Sequence, residues 1–169
     1  MELESSSMNN FLLDNPFILP ITFMASGLIW VMFFALLALW MMGGKVNKKQ
    51  VANVLLVSVS AWLVSEVVKN LLPFNPRPYE VYNTIPLTLT IPSGSAFPSS
   101  HSAVSFALAV GVLPYHKKAG ILFLASAVLV GLGRILSNVH FPIDVFGGAL
   151  IGSLIGSVVG RSGKSKAKR

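Results

Sequence analysis

His140 and Asp144 stand four residues apart near the end of an apolar chain, and Arg134 precedes the histidine by six. Pro142 lies between the histidine and the aspartate. Proline suits the first turn of a helix, where its missing N–H is not needed, and it pushes the preceding Phe141 toward extended backbone. The spacing predicts a helix that starts near Pro142 with Asp144 in its first turn. A carboxylate there is favoured by the helix dipole and can reach back over the N-terminus. It can then hold the His140 imidazole, fix its tautomer and raise its basicity, as happens where a histidine acts as base or nucleophile. A capping aspartate beside an interfacial histidine accounts for this stretch alone equally well.

Two other clusters carry polar residues of the same kind. Lys69 to Pro78, K-N-L-L-P-F-N-P-R-P, supplies Lys69 and Arg77. Taken singly, a lysine near the end of an apolar run snorkels and a loop arginine is solvated. Phe97 to Ser102, F-P-S-S-H-S, precedes another apolar run. Proline followed by serines marks a helix start, with Ser99 or Ser100 as N-cap. The free N–H groups of such an end bind anions, phosphate above all, and His101 is held at the same place. The plain alternative is a cap beside an interfacial histidine.

The elements that must position these clusters are apolar helices. The 169 residues are 53% hydrophobic and 11% charged, with a mean hydropathy of +0.70. A soluble domain carries about 25% charged residues, so the composition implies an all-α integral membrane protein. There is no cysteine, which removes disulfides and thiolate ligands. Apolar runs cover about 17–42, 51–72, 101–114, 119–136 and 142–160, giving a bundle of about five transmembrane helices in one membrane-embedded domain, 1–169. Residues 1–16 are acidic and polar, without the basic start of a cleavable signal peptide; their Phe11-Leu12-Leu13 patch can lie on the membrane surface. The run 101–114 is short for a span, so it must begin in Pro98-Ser99-Ser100, continue past Pro114, or start below the membrane surface.

Five spans send alternate loops to opposite sides. One side receives ten of the thirteen Lys and Arg, including the basic tail 161–169, and the other receives Lys69, Arg77, Arg134 and all six acids. The positive-inside rule makes the first side, with the C-terminus, cytoplasmic. Basic residues beside a membrane bind anionic lipid headgroups, so the tail requires no nucleic acid. The three clusters then share the non-cytoplasmic face. Lys69, Arg77 and Arg134, with a helix N-terminus, suit a multiply charged anion such as a phosphate ester. His101 and His140 supply the two protonation roles of covalent phosphoryl transfer, a nucleophile and an acid for the leaving group. His116 lies beside Lys117 and Lys118 in the opposite loop and is expected to have no part in the chemistry.

Together the clusters resemble the three ordered signatures of the type 2 phosphatidic acid phosphatase superfamily. Those are a lysine, six residues and Arg-Pro; then Pro-Ser-Gly-His; then Ser-Arg, five residues, His, three residues and Asp. The resemblance runs from Lys69 to Asp144. It departs in three places: seven residues separate Lys69 from Arg77, Ser100 replaces the glycine, and Gly133 replaces the serine before Arg134. Membrane members commonly have six spans, three of them before the second signature, where this chain has two. The resemblance implies that His140 attacks phosphorus with Asp144 orienting it. It implies that His101 protonates the leaving oxygen and later activates water, and that Lys69, Arg77, Ser99, Ser100 and Arg134 bind the phosphate oxygens. It also implies no metal and no cofactor. The vanadate of the family's haloperoxidases belongs to soluble members. The substrate expected is a lipid phosphate or diphosphate in the plasma membrane, with a lean to a polyprenyl, undecaprenyl-type diphosphate. Phosphatidylglycerol phosphate and phosphatidic acid come next, and a lipid phosphotransferase is the enzymatic rival. A lipid or ion transporter would spread its charges through the membrane depth, whereas these gather at one boundary.

Three features stand outside the signatures. Glu66 precedes Lys69 by three residues on one helix and is expected to pair with it rather than touch the headgroup. Gly148, Gly152, Gly156 and Gly160 form a small-residue stripe, which packs inside the chain or joins two copies in a homodimer. Trp30, Trp40 and Trp62 are expected as ordinary membrane aromatics.

Overall fold

The computed structural model describes residues 15–41 and 47–166, with side-chain surroundings described as far as Val158. The expected surface segment 1–16 lies almost wholly outside these residues, as do Lys45 and, for its surroundings, the basic tail. All regular structure among the described residues is helical. Helix α1 spans Ile18–Met41 and contains a π-helical turn, Phe23–Gly27. Then follow α2 (Lys48–Leu71), a single turn α3 (Pro78–Val81), α4 (Ser100–Val112), α5 (Lys117–Leu136) and α6 (Pro142–Lys166).

Helix ends follow local chemistry more closely than hydropathy. The second run starts at Lys48 rather than Val51 because Asn47 and Gln50 form a capping box: Asn47 Oδ1 accepts from Gln50 N at 3.0 Å and Gln50 Oε1 from Asn47 N at 2.9 Å. His116 caps α5, its Nδ1 accepting from Ala119 N at 3.2 Å. Helix α6 continues through Gly160 to Lys166, so the expected boundary between span and tail is a change in composition without a break in the backbone.

Helices α1, α2 and α5 are each long and apolar enough to cross a membrane; α4 and the apolar part of α6, Pro142–Val158, are shorter. Their outward faces carry large apolar side chains in the open, with Trp30 61%, Leu122 69% and Leu154 61% exposed. Such faces belong against lipid, and the protein is a multi-pass membrane protein. Helix α4 begins at Ser100 and ends at Val112, ahead of Pro114. Its thirteen residues rise about 20 Å, against a hydrocarbon core of about 30 Å. At least one end of α4 is therefore set inside that thickness.

Helix α4 is the centre of the bundle, packing on α2, α5 and α6. Its buried residues include Ala103, Ala107, Leu108, Ala109 and Val112. The glycine stripe of α6 faces it. A Cβ on Gly148 would lie 2.2 Å from Ser99 O, on Gly152 2.1 Å from Ala103 O, and on Gly156 2.9 Å from Ala107 O. Small residues at every fourth position on both helices let the backbones approach closely. The stripe is thus used within the chain at these three positions, and a homodimer through the same face would have to displace α4. Gly160 lies beyond the residues whose surroundings are described.

Candidate active site

The three clusters meet at one end of the bundle, and the folding of each is local in origin. Helix α5 ends at Leu136, and Asn138 turns the chain in the left-handed region at φ 59°. Asparagine tolerates this conformation better than most residues. The turn returns His140 to Arg134, whose carbonyl accepts from Val139 N at 3.3 Å and from His140 N at 3.2 Å. Asp144 then sits in the first turn of α6. Its Oδ2 accepts from Phe141 N at 2.8 Å and lies 3.5 Å from His140 Nδ1. One oxygen of this aspartate therefore both caps the helix and faces the imidazole. With Nδ1 toward the carboxylate, the lone pair sits on Nε2, which is 3.3 Å from Arg77 Nη1.

The second cluster is tied directly to the third, because Ser99 N donates to Asp144 O at 2.9 Å. Ser99 is the N-cap of α4, accepting from Ser102 N at 3.4 Å. Ser100 and His101 follow in the first turn. Ser100 is more than a substitute for glycine: its hydroxyl donates to Glu66 Oε1 at 2.6 Å and also hydrogen-bonds Lys69 Nζ. Glu66 and Lys69 pair as expected, at 2.8 Å.

The extra residue between Lys69 and Arg77 is absorbed in extended chain. Leu72 leaves α2 in the β region, and Asn75 is pinned to the facing strand of loop by Ala96 N to Asn75 O at 2.8 Å and Asn75 N to Ser95 Oγ at 3.2 Å. Both cations therefore still reach the site. Arg77 is also a staple: it donates from Nε to Gly94 O at 3.1 Å, from Nη1 to Val139 O at 3.1 Å, and from Nη2 to Ser93 O and Ser95 O at 3.3 Å each. Arg77 (3% exposed), Arg134 (4%), His140 (3%) and Asp144 (0%) are buried together. Burial pulls the Arg77 guanidinium below its usual value, against the opposing charges of Glu80 and Asp144. Burial also lowers the His140 imidazole to about 4, against the raising influence of Asp144, so it is neutral at pH 7.

A cavity of about 540 Å³ gathers Lys69, Arg77, Ser100, His101, Arg134 and His140 at its polar end and continues between α1 and α2 past Ile29, Trp30, Phe33, Val59 and Trp62. Ser99 and Asp144 stand behind this lining. His116 caps α5 at its opposite end from Arg134. The aromatic part of the lining was not foreseen: Trp30 and Trp62 read from sequence as ordinary membrane aromatics. A signal existed, since Ser58, Trp62, Glu66 and Lys69 recur at helical spacing on one face of α2. Gly133 has a steric reason to replace serine, because its α-carbon lies against the backbone of Met24 and Ala25 in α1.

Fold and cavity together define a helical membrane protein with a cationic, two-histidine site at one end of its bundle. The chain belongs to the PAP2 superfamily, whose model matches residues 50–166. It is 30% identical over 135 residues to the bacitracin transport permease protein BcrC of Bacillus licheniformis, covering 78% of this chain and 64% of that protein. It is 28% identical over 121 residues to the undecaprenyl-diphosphatase BcrC of Bacillus subtilis, covering 72% and 62%. The chain thus spans less than two thirds of the length of these two curated relatives. Among solved structures, it resembles Aquifex aeolicus LpxE with a TM-score of 0.67 and 29% identity, covering 88% of this chain and 85% of that one. It also resembles a transmembrane PAP2-type phosphatidylglycerolphosphate phosphatase from Bacillus subtilis, with a TM-score of 0.60 and 26% identity, covering 98% and 86%.

Proposed function

We propose that this protein hydrolyses a membrane lipid phosphate, a polyprenyl, undecaprenyl-type diphosphate first among the candidates, through a phosphohistidine on His140. The observation that carries the reading is one continuous cavity with the three motif cations and both histidines at one end and an apolar, aromatic passage between α1 and α2 at the other. Such a space suits a phosphate headgroup joined to a hydrocarbon chain. His140 Nε2 attacks phosphorus while Asp144 stabilises the charge that develops on the ring. As the bond from phosphorus to the leaving oxygen breaks, His101 gives that oxygen a proton. The same histidine then takes a proton from water, which attacks the phosphohistidine and releases phosphate. Lys69, Arg77, Arg134 and the N-terminus of α4, with Ser99 and Ser100, hold the phosphate oxygens in both steps, and no metal ion takes part.

The charge distribution supports a plasma-membrane orientation with the C-terminus cytoplasmic and the site at the non-cytoplasmic face. The diphosphate preference draws support from the name of the B. subtilis relative, and phosphatidylglycerol phosphate is the second candidate, from the similar solved structure. The other relative's name, a transport permease, favours a transporter. Against it stands the gathering of buried charge at a single end of the bundle. The test is phosphate release by detergent-purified protein, with a chelator present, from polyprenyl diphosphate, phosphatidylglycerol phosphate and phosphatidic acid. Release from one lipid that vanishes in His140→Ala supports the reading and selects the substrate. No release from any of them, or equal release from His140→Ala, overturns it.

A further inference from the structure

We propose that the first helix, which contributes no residue to the three motifs, completes the phosphate site by positioning Arg134 through the backbone of its π-helical turn. The proposal rests on the phosphate-binding role given to Arg134 above. The family match begins at residue 50, so α1 lies outside it. Phe23–Gly27 is nonetheless wound as a π-turn, closed by Leu28 N donating to Phe23 O. Such turns recur at functional sites because they shift a carbonyl out of the ordinary α-helical ladder. Here Ala25 O accepts from Arg134 Nη1 at 3.3 Å, and Arg134 makes no other side-chain hydrogen bond among the described residues. A buried guanidinium held at a single Nη1 keeps its remaining donors available for an anion, in the planar fork that suits phosphate.

The contact depends on the absence of a side chain at residue 133. A Cβ there would lie 2.6 Å from Ala25 N, 2.7 Å from Met24 C and 2.8 Å from Met24 Cβ. Two of these three neighbours are backbone atoms, which cannot rotate away. Any larger residue therefore pushes the π-turn off α5 and takes Ala25 O away from Arg134. The same turn also reaches the long loop, since Ser26 Oγ accepts from Leu89 N at 3.4 Å. Gly133 and Ala25 are positioning residues that act through Arg134.

Gly120 supplies a matched control. It lies on the same helix at the end away from Arg134, and a Cβ there would lie 2.7 Å from Leu113 Cα, so it is equally crowded. Inorganic phosphate binding to the full-length protein, read as the concentration dependence of thermal protection, requires no turnover. Gly133→Ala is expected to weaken phosphate about tenfold, the scale of one charge-assisted hydrogen bond, and to raise KM for lipid phosphate more than it lowers kcat. Gly120→Ala is expected to lose thermal stability with phosphate affinity within twofold of the parent. Equal phosphate affinity in Gly133→Ala and the parent, or an equal loss in Gly120→Ala, overturns the proposal. If Gly133→Ala does not fold, Ala25→Gly against Ala35→Gly repeats the comparison with one substitution in one helix. A loss of about threefold confined to Ala25→Gly supports positioning, and equal affinities overturn it. Phosphate binding that follows this pattern without lipid hydrolysis would sink the hydrolase reading and leave the positioning role standing.

Discussion

Replacing Asp144 by asparagine removes one charge and little else. Asp144 Oδ2 accepts from Phe141 N at 2.8 Å, a bond that an amide oxygen retains, so α6 keeps its cap. The same oxygen lies 3.5 Å from His140 Nδ1, between side chains that are 2% and 0% exposed. In the proposed reaction His140 attacks phosphorus, its ring becomes cationic, and the carboxylate meets that charge. Two unit charges at this separation interact by about 5 kcal/mol at an effective dielectric constant of about 20. Only part of the charge has developed in the transition state, so the expected loss is about 3–4 kcal/mol, a fall in kcat on the order of 10²- to 10³-fold. The assay is phosphate release from the preferred lipid by purified Asp144→Asn, with circular dichroism and thermal melting to establish that the fold is unchanged. A folded Asp144→Asn with kcat within fivefold of the parent would refute the orienting role of this carboxylate.

Four further outcomes are expected. Protonation takes the lone pair that His140 needs, so activity is lost as pH falls through its pKa; burial has lowered that pKa to about 4, and the acid limb of kcat/KM should lie well below the ordinary histidine value of about 6.5. Between those two values the unfolded chain binds a proton that the folded protein does not, so thermal stability should also decline as pH drops through that window. His116→Ala should keep full activity and lose about 0.5–2 kcal/mol of stability, measured by melting, because its ring only caps α5. Gly152→Ala should lower Tm by a few degrees, an overpacking cost of about 1–3 kcal/mol, since its new Cβ would meet Ala103 O at 2.1 Å; unchanged melting would mean that α4 and α6 do not pack this closely.

The residues that gather in the candidate site were legible because their types are rare in so apolar a chain. Arg134, His140 and Asp144 sit at spacings that local rules can interpret: a proline at the start of a helix and a carboxylate in its first turn. The convergence of Lys69, Arg77 and His101 on the same place followed from counting spans and charges. What the sequence hid was backbone. Ala25 enters the site through a carbonyl, and no side chain announces it; the π-turn that presents that carbonyl leaves no hydropathy signal. Gly133 looked like a mild exchange for serine because the helix that forbids a larger residue lies more than a hundred positions earlier in the chain. Ser100 likewise looked neutral until its hydroxyl proved to join Glu66 and Lys69. Trp30 and Trp62 were indistinguishable from lipid-facing aromatics because they are partly that: both remain exposed on the bundle surface while lining the cavity.

The most direct test of covalent catalysis is to trap the intermediate. The protein would be mixed with lipid substrate labelled on the terminal phosphate, quenched in base within the first turnover, digested and sequenced by mass spectrometry. A base-stable, acid-labile phosphoryl group on His140, absent from His140→Ala and retained in His116→Ala, is the predicted result. Turnover by the parent with no label on His140, or label on His101 instead, would contradict it.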